Sequence, residues 1–107
     1  MITPFEQRVY DALKQVPKGR VTTYADLARA VGCGSARAIG QALKRNPYSP
    51  EVPCHRVIRS DFGLGGFQGR TCGPALRRKI RLLRDEDVLF RYGRLVDPAR
   101  LIRLQST

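Results

Sequence analysis

A cysteine that directly precedes a histidine is the feature of this sequence with the clearest chemical potential. The pair, Cys54 and His55, lies in the stretch Pro53-Cys54-His55-Arg56, and His55 is the single histidine of the chain. A cysteine thiolate is a strong nucleophile, and an imidazole can take the thiol proton directly or through one water. For these two residues alone, a small buried cysteine beside a structural histidine is an equally good interpretation.

A histidine that acts as a base normally needs a third group that orients it, most simply a carboxylate. Four carboxylates are candidates, and spacing alone does not choose among them: Asp61, Asp85, Glu86 and Asp87. Three of the four lie at the end of the last predicted helix of the chain.

The charge of the chain indicates a polyanionic partner. Twenty lysines and arginines stand against nine aspartates and glutamates, for a net charge of +11 over 107 residues. Such an excess is typical of proteins that bind nucleic acid or an anionic membrane surface. Arginine strongly predominates over lysine, and its planar fork suits contacts to phosphates and base edges. A generic basic protein is the alternative.

Three cysteines without Cys-x-x-Cys spacing and a single histidine argue against a zinc site or a disulfide framework. We therefore expect no metal and no cofactor. Cys33 and Cys72 have no assigned role, and a disulfide between them would require an unusual redox setting. No signal peptide follows Met1 and no apolar run is long enough to cross a bilayer, so we expect a cytoplasmic protein.

Apolar periodicity predicts three helices in the first half of the chain, over about 5–16, 24–31 and 36–45. Pro4 suits the first turn of the first helix, and Thr22 or Thr23 can cap the second. The second and third helices are joined by the turn at 32–35, which is a helix-turn-helix pattern.

The outer face of the third helix carries Arg37, Gln41 and Lys44, separated by the small residues Ala38 and Gly40. A thin helix of this kind suits close approach, including to the narrow minor groove of DNA. Close packing against another helix would explain the small residues equally simply.

The second half of the chain predicts short extended segments around one helix. The elements are a rigid loop at 46–50, a partly extended stretch at 52–58, a mobile loop or β wing at 61–69, a helix at 74–85, short strands at 88–90 and 94–96, and a terminal turn at 101–104. In the helix, Leu76, Ile80 and Leu83 form the predicted core stripe. The predicted basic flank consists of Arg77, Arg78, Lys79, Arg81 and Arg84. The expected fold is one domain over 1–107, mainly α with small β elements, and winged helix-turn-helix-like.

Several segments carry a resemblance to a known family. The central ones are Val52-Pro53-Cys54-His55-Arg56-Val57-Ile58 and Gly63-Leu64-Gly65-Gly66-Phe67. The others are the segments at 17–24 and 35–40, Asn46-Pro47, and Leu82-Leu83 with Glu86. Taken in their order along the chain, from about residue 5 to residue 90, these segments resemble those of the O6-alkylguanine-DNA alkyltransferases. Members of that family are single-use repair proteins that move an alkyl group from guanine to a cysteine.

The resemblance implies roles for five residues in the chemistry. Cys54 would accept the alkyl group, His55 would act as base through a water, and Glu86 would orient His55. Asn46 would brace the active-site turn, and Tyr24 would donate toward the flipped base and help to rotate its phosphate. The thioether product is not reversed by cellular reductants, so each molecule would act once.

The resemblance also implies double-stranded DNA as partner, bound through the minor groove by a monomer, and no membrane. Arg37 would fill the gap left in the base stack when the alkylated guanine is flipped out. Further residues at the DNA are implied to be Thr23, Ser35, Ala36, Gly40, Gln41, Lys44, Arg45 and Arg56. The pocket for the base would include Val57, whose carbonyl would accept from the guanine amino group, with Gly65, Gly66, Phe67 and Gln68.

The sequence departs from the family pattern in four respects. It begins without the additional N-terminal domain of most members, so we expect the active-site domain alone. Phe67-Gln68 replaces a Tyr-Ser pair that supplies a hydroxyl near O6, which bears on the size of the alkyl group accepted. The stretch 59–62 is slightly longer than usual, and Gln41 stands where small residues are frequent.

Two other functions compete with alkyl transfer. Alkyltransferase-like proteins, which this chain resembles in length, flip the lesion without chemistry and flag it for nucleotide excision repair, but they typically replace the signature cysteine. A generic helix-turn-helix regulator would explain the charge and Arg37, but not the pair Cys54-His55.

Overall fold

Four α-helices and two small β-sheets make up the computed structural model, which describes residues 2–47, 51–66 and 73–104. The helices are α1 (Pro4–Leu13), α2 (Tyr24–Ala30), α3 (Ala36–Lys44) and α4 (Pro74–Arg84). The strands are β1 (Thr22–Thr23), β2 (Val57–Ile58), β3 (Phe90–Arg91) and β4 (Arg94–Leu95), and Cys54–Arg56 and Pro98–Arg100 are 3-10 turns. The prediction of a mainly α protein with small β elements is confirmed. Within these ranges no helix is both long and apolar enough to cross a membrane.

Helix α1 begins with a reciprocal cap. The Thr3 hydroxyl accepts from the Glu6 amide at 3.1 Å, and the Glu6 carboxylate accepts from the Thr3 amide at 3.0 Å. The helix ends at Leu13, earlier than predicted. Val16 is nonetheless buried, because the chain continues in tight turns in which the Val16 amide donates to the Leu13 carbonyl at 3.0 Å.

Helices α2 and α3 form the predicted helix-turn-helix arrangement. Thr23 caps α2 by accepting from the Asp26 amide at 3.0 Å, and Ser35 caps α3 by accepting from the Ala38 amide at 3.2 Å. Their inner faces join α1 in one hydrophobic core. The Tyr10 hydroxyl ties α1 to α3 by donating to the Ala42 carbonyl at 2.8 Å.

Strands β1 and β2 pair in parallel, with Thr22 opposite Val57 and Thr23 opposite Ile58. This pairing places the segment after Cys54 beside the start of α2. The C-terminal segment adds to the other side of β1, where the Ile102 amide donates to the Val21 carbonyl at 2.8 Å. Residues 101–104 therefore pack back onto the domain as predicted, but through an extended bridge rather than a turn.

The predicted hairpin near the C-terminus is confirmed with shifted bounds, as β3 and β4. Tyr92 and Gly93 connect the strands with φ of 52° and 76°, the left-handed conformation of tight hairpin turns. Gly63 pairs with Arg94, so the glycine-rich loop lies against this small wing.

Helix α4 corrects one sequence prediction. Leu83 is fully buried as expected, but Ile80 is 40% exposed and Lys79 is completely buried. Position 79 lies three residues after Leu76 and four before Leu83, so it shares their face of the helix. The sequence analysis placed Ile80 inside because it is apolar, and the structure places the lysine there.

Candidate functional site

Cys54 opens a 3-10 turn that connects the loop after α3 to β2. Its side chain is mostly buried, and its amide donates to the Val52 carbonyl at 2.8 Å. The same carbonyl accepts from Asn46 Nδ2 at 3.0 Å. Asn46 follows the end of α3. Its hydrogen bond therefore attaches the turn that contains Cys54 to the helix-turn-helix unit.

His55 is buried and contacts one carboxylate. Its Nε2 lies 2.9 Å from Glu86 Oε2, just beyond the end of α4. A carboxylate only accepts hydrogen bonds, so the Nε2 atom carries the hydrogen and Nδ1 keeps a lone pair. Nδ1 is buried and has no hydrogen-bond partner among the described residues. Burial lowers the pKa of His55, against the opposing effect of Glu86, which favours a neutral imidazole that can accept a proton.

Arg56 holds Glu86 from the other side. Its Nε donates to Glu86 Oε1 and its Nη2 to Oε2, both at 2.8 Å, while Nη1 donates to the Val16 carbonyl at 2.9 Å. Burial alone would raise the pKa of Glu86, but hydrogen bonds from Arg56 and His55 lower it to about 2. The carboxylate is therefore ionised at neutral pH, and it is Glu86 rather than Asp61, Asp85 or Asp87 that meets His55.

Two residues expected at the DNA have partners inside the protein. The guanidinium of Arg56 points inward to Glu86, and the hydroxyl of Thr23 caps α2. Neither side chain extends from the surface of α3. No local sequence pattern predicts the ion pair between Arg56 and Glu86, because the two residues are 30 positions apart.

A pocket of about 360 Å³ opens beside this array, lined by Tyr24, Arg59, Leu64, Gly65, Gly66 and Leu76. The Tyr24 hydroxyl donates to the Gly66 carbonyl at 3.2 Å. Burial, with a smaller contribution from Cys54, raises the pKa of Tyr24 to about 12, so the phenol keeps its proton.

Position 65, in the wall of the pocket, requires a glycine. Its φ is +73°, and a Cβ added there would lie 3.1 Å from Tyr24 Cε2. The predicted pocket residues Gly65 and Gly66 are thus together with Tyr24. Phe67 and Gln68 lie outside the described residues, as does Cys72. Sequence reasoning missed Lys79, which is buried behind the same wall.

The outer face of α3 is open. Its long polar side chains are exposed, as are the residues around its start: Ser35, Ala36, Arg37, Gln41, Lys44 and Arg45. A Cβ added at Gly40 would meet no other described residue within 4 Å, apart from the backbone of α3 itself. Helix packing therefore does not explain the glycine. Among the described residues, Arg45 pairs with Glu6, with 4.0 Å between Arg45 Nη1 and Glu6 Oε2.

The arrangement offers a thiol, a neutral base and a fixed carboxylate beside a pocket with a phenol donor. Among the described residues, no group of three or more His, Cys, Asp or Glu side chains could hold a metal ion. A thiol next to a neutral base can attack as a nucleophile, with proton transfer to the base assisting the attack.

Curated relatives and solved structures match this chain at substantial identity. A methylated-DNA--protein-cysteine methyltransferase of Methanothermobacter thermautotrophicus is 43% identical over 86 residues, which are 80% of this chain and 46% of the relative. The chain thus spans about half the length of that relative. The crystal structure of the O6-methylguanine-DNA methyltransferase from Pyrococcus kodakaraensis superposes with a TM-score of 0.70 at 48% identity, over 81% of this chain and 48% of that one.

A second solved structure matches over nearly its whole length. S. pombe Atl1, crystallised with damaged DNA containing O6-carboxymethylguanine, superposes with a TM-score of 0.79 at 32% identity, over 92% of this chain and 94% of that one. The family model described as the DNA-binding domain of 6-O-methylguanine DNA methyltransferase matches residues 4–88. With a match of this extent, the chain belongs to the 6-O-methylguanine DNA methyltransferase family, as a representative of its DNA-binding domain.

Proposed function

We propose that this chain is a single-use DNA repair protein that binds duplex DNA, takes an O6-alkylguanine into its pocket and transfers the alkyl group to Cys54. The observation that carries the proposal is the ordered array behind the thiol. Glu86 fixes His55 through Nε2 at 2.9 Å and leaves the Nδ1 lone pair free to accept a proton. A buried cysteine with a purely structural role would not need this array.

The proposed reaction is one displacement. His55 takes the thiol proton of Cys54, directly or through one water, and the sulfur attacks the alkyl carbon. An S–C bond forms as the O6–C bond breaks, and the electron pair of that bond stays on guanine. Guanine leaves more easily when a proton reaches it. The phenol of Tyr24, which its pKa of about 12 keeps protonated, turns its hydrogen from the Gly66 carbonyl to guanine, and His55 returns the thiol proton to the phenolate through water. In net balance, the thiol loses one proton, guanine gains one, and the alkyl group ends on sulfur.

DNA binding is supported by the open, positively charged face of α3. Arg37, Gln41 and Lys44 are exposed on it, and no side chain of the described part of the chain fills the space beside Gly40. We assign to Arg37 the gap left in the base stack, which offsets part of the few kcal/mol that unstacking a base costs. A pocket of about 360 Å³ is within the usual range for small-ligand sites, and the carbonyl of Val57 is our candidate acceptor for the guanine amino group.

The direct test of the proposal is whether Cys54 becomes covalently alkylated. The protein is incubated with a duplex that carries one O6-methylguanine, and its intact mass and peptide map are then recorded. We expect the gain of one CH₂ unit on the peptide that contains Cys54, with one equivalent of lesion consumed per protein. An undamaged duplex of the same sequence is the control, and an unchanged mass in the presence of bound lesion would contradict the proposal.

A second candidate function is lesion binding without chemistry, in which the protein flags O6-alkylguanine for nucleotide excision repair. The observation that favours it is the similarity to S. pombe Atl1, with a TM-score of 0.79 over 94% of that chain. The presence of Cys54 with its base favours transfer. The mass measurement separates the two functions, because a binder retains the lesion duplex with no change in mass.

The substitution Gly40→Ala tests whether DNA approaches α3 closely. Because the added methyl group meets no neighbour within 4 Å among residues 2–47, 51–66 and 73–104, the substitution is expected to stabilise the fold by up to about 1 kcal/mol through helix propensity. Overpacking a tight contact costs about 1–3 kcal/mol, so DNA affinity is expected to fall roughly 5- to 150-fold. Thermal unfolding and DNA titration of the same variant measure the two effects. A more stable protein with unchanged DNA affinity would place the groove elsewhere.

A further inference from the structure

Lys79 is a buried cation beside the candidate site. Its side chain has no solvent exposure, whereas every other lysine and arginine in the described part of the chain is at least partly exposed. Burying an ammonium group is costly unless all of its hydrogens are bonded. A methionine or leucine would fill the same space at the inner face of α4 without that cost, so a cation at this position calls for a specific account.

The three hydrogens of the ammonium match three carbonyl oxygens. Lys79 Nζ lies 2.7 Å from the Val57 oxygen, 2.6 Å from the Leu64 oxygen and 2.9 Å from the Gly66 oxygen. Val57 belongs to β2, directly after the turn that carries Cys54, and the other two line or adjoin the pocket. One side chain thus joins α4 to both segments that surround the acceptor thiol.

Lys79 and Tyr24 act on the same atom. The Gly66 carbonyl accepts from Lys79 Nζ at 2.9 Å and from the Tyr24 hydroxyl at 3.2 Å, which uses both of its lone pairs. The Lys79 ammonium also lies 5.9 Å from the centre of the Tyr24 ring. The position of the proposed proton donor in the pocket therefore depends on an oxygen that Lys79 fixes.

We propose that Lys79 is a positioning residue of the alkyl-acceptor pocket, whose three-donor ammonium holds the carbonyls of Val57, Leu64 and Gly66 in the arrangement that receives the flipped base. The proposal rests on the proposed function for the identity of that base. An ammonium is specifically required, because a neutral amine has only two hydrogens and would turn a lone pair toward the third oxygen. An apolar side chain would leave all three oxygens without this donor.

The arrangement predicts a pH dependence. Burial lowers the pKa of Lys79 from 10.5 to about 7, although Cys54 raises it in part, so the third hydrogen is lost as the pH rises through that value. The other titratable groups near Lys79 are Cys54, His55 and Tyr24. Because the Lys79 charge itself lowers the pKa of His55, a variant without that charge keeps more of the imidazole protonated at low pH. Both effects therefore make the ratio of wild-type to variant rates larger at low pH.

The test uses Lys79→Met, Lys79→Gln and the matched control Arg78→Met, which removes an exposed positive charge from the adjacent position of α4. Single-turnover transfer from an O6-methylguanine duplex is expected to slow roughly 10- to 100-fold in Lys79→Met, since small misplacements in a site have effects of this size. Lys79→Gln, which keeps two donor hydrogens, is expected to lie between Lys79→Met and the wild type, and Arg78→Met to equal the wild type. The ratio of wild-type to Lys79→Met rates should be largest below pH 7 and should narrow above it.

Two further measurements keep the outcome decisive. Circular dichroism checks the fold of each variant, and if Lys79→Met does not fold, the comparison is made with Lys79→Gln alone. If the wild type binds the lesion but transfers nothing, the proposed transfer fails. The positioning role is then read from the ratio of affinities for lesion and undamaged duplex, which should fall in the Lys79 variants. Unchanged rates, or an unchanged affinity ratio, in a folded Lys79 variant would overturn the positioning role.

Discussion

Replacing Cys54 by alanine is expected to abolish alkyl transfer while the protein still binds a duplex that carries O6-methylguanine. The sulfur is the only atom of this side chain that can accept the alkyl group, and alanine leaves His55, Glu86 and the pocket in place. Because the side chain is small and mostly buried, the cavity left behind should lower the free energy of unfolding by only about 1 kcal/mol. Intact mass after incubation with the lesion duplex measures transfer, and a DNA titration measures binding.

Cys33→Ala is the matched control, because it removes the other cysteine within the described residues, one that is only partly buried. It should retain full transfer. Two results would contradict the assignment of Cys54. A mass gain that persists in Cys54→Ala would place the acceptor on another thiol, and an equal loss of lesion binding would make Cys54 a structural residue.

Local signals in the sequence predicted most of the helical framework. Thr23, one of the two predicted caps of α2, and the Gly-containing turn between α2 and α3 act over three or four residues, so they can be read from a short window. The same holds for the hairpin at Tyr92-Gly93. The bounds shifted by a few residues because packing, rather than propensity, decides where a helix ends.

Contacts between distant segments could not be read in this way. The parallel pairing of β1 with β2 joins residues more than 30 positions apart, and no short pattern encodes it. The sequence left four carboxylates open as partners of His55 until a resemblance to a known family singled out Glu86. Lys79 was predicted on the basic flank of its helix, because a charged side chain is normally solvated, and the resemblance placed Arg56 at the DNA.

Arg56 and Lys79 point into the protein for the same physical reason. Arg56 meets a carboxylate, and Lys79 meets three backbone carbonyls, so each cation finds inside the protein the partners that it would lose with water. Hydropathy predicted that Ile80 would be the buried residue of α4. The prediction fails because buried backbone oxygens need a hydrogen-bond donor at this place, which Lys79 supplies. Such failures fall around the candidate site, where sequence rules commonly give way to function.

The turn that carries Cys54 and helix α3, which we propose to face the DNA, form one packed unit. Ile39 and Leu43 of α3 share a core with Val52, Cys54 and Val57, and Asn46 links the end of α3 to the Val52 carbonyl. A base rotated out beside α3 would therefore meet a thiol whose position is fixed relative to that helix. Preorganisation of this kind lowers the entropic cost of bringing the two reacting atoms together.

The substitution Glu86→Gln should lower both stability and transfer. Gln keeps the size of the side chain but removes the charge that Arg56 and His55 share, at 2.8 and 2.9 Å. Breaking a largely buried ion pair from one side costs roughly 3 kcal/mol, which corresponds to a decrease in Tm of roughly 10–20 °C for a domain of this size. Transfer should slow roughly 100-fold or more, because His55 loses the carboxylate that fixes its Nε2 hydrogen and leaves Nδ1 as the base.

The loss of stability should itself depend on pH. The pKa of Glu86 is lowered in the folded protein from 4.5 to about 2. Its charged form therefore contributes stability that is fully present above about pH 4.5 and disappears as the pH falls through about 2. The difference in unfolding free energy between wild type and Glu86→Gln should be constant near neutral pH and should shrink over that acidic window. Denaturant unfolding at a series of pH values measures it.

Asp85→Asn is the matched control for Glu86→Gln, since it removes one negative charge from the neighbouring position, where the side chain is exposed. It should change neither the transfer rate nor the acid part of the stability profile by a comparable amount, because exposed charges contribute little. If Asp85→Asn slowed transfer as much as Glu86→Gln, the effect would come from net charge near the DNA and not from the orientation of His55. A Glu86→Gln protein that is destabilised but transfers at the wild-type rate would confine Glu86 to a structural role and would leave His55 to act without it.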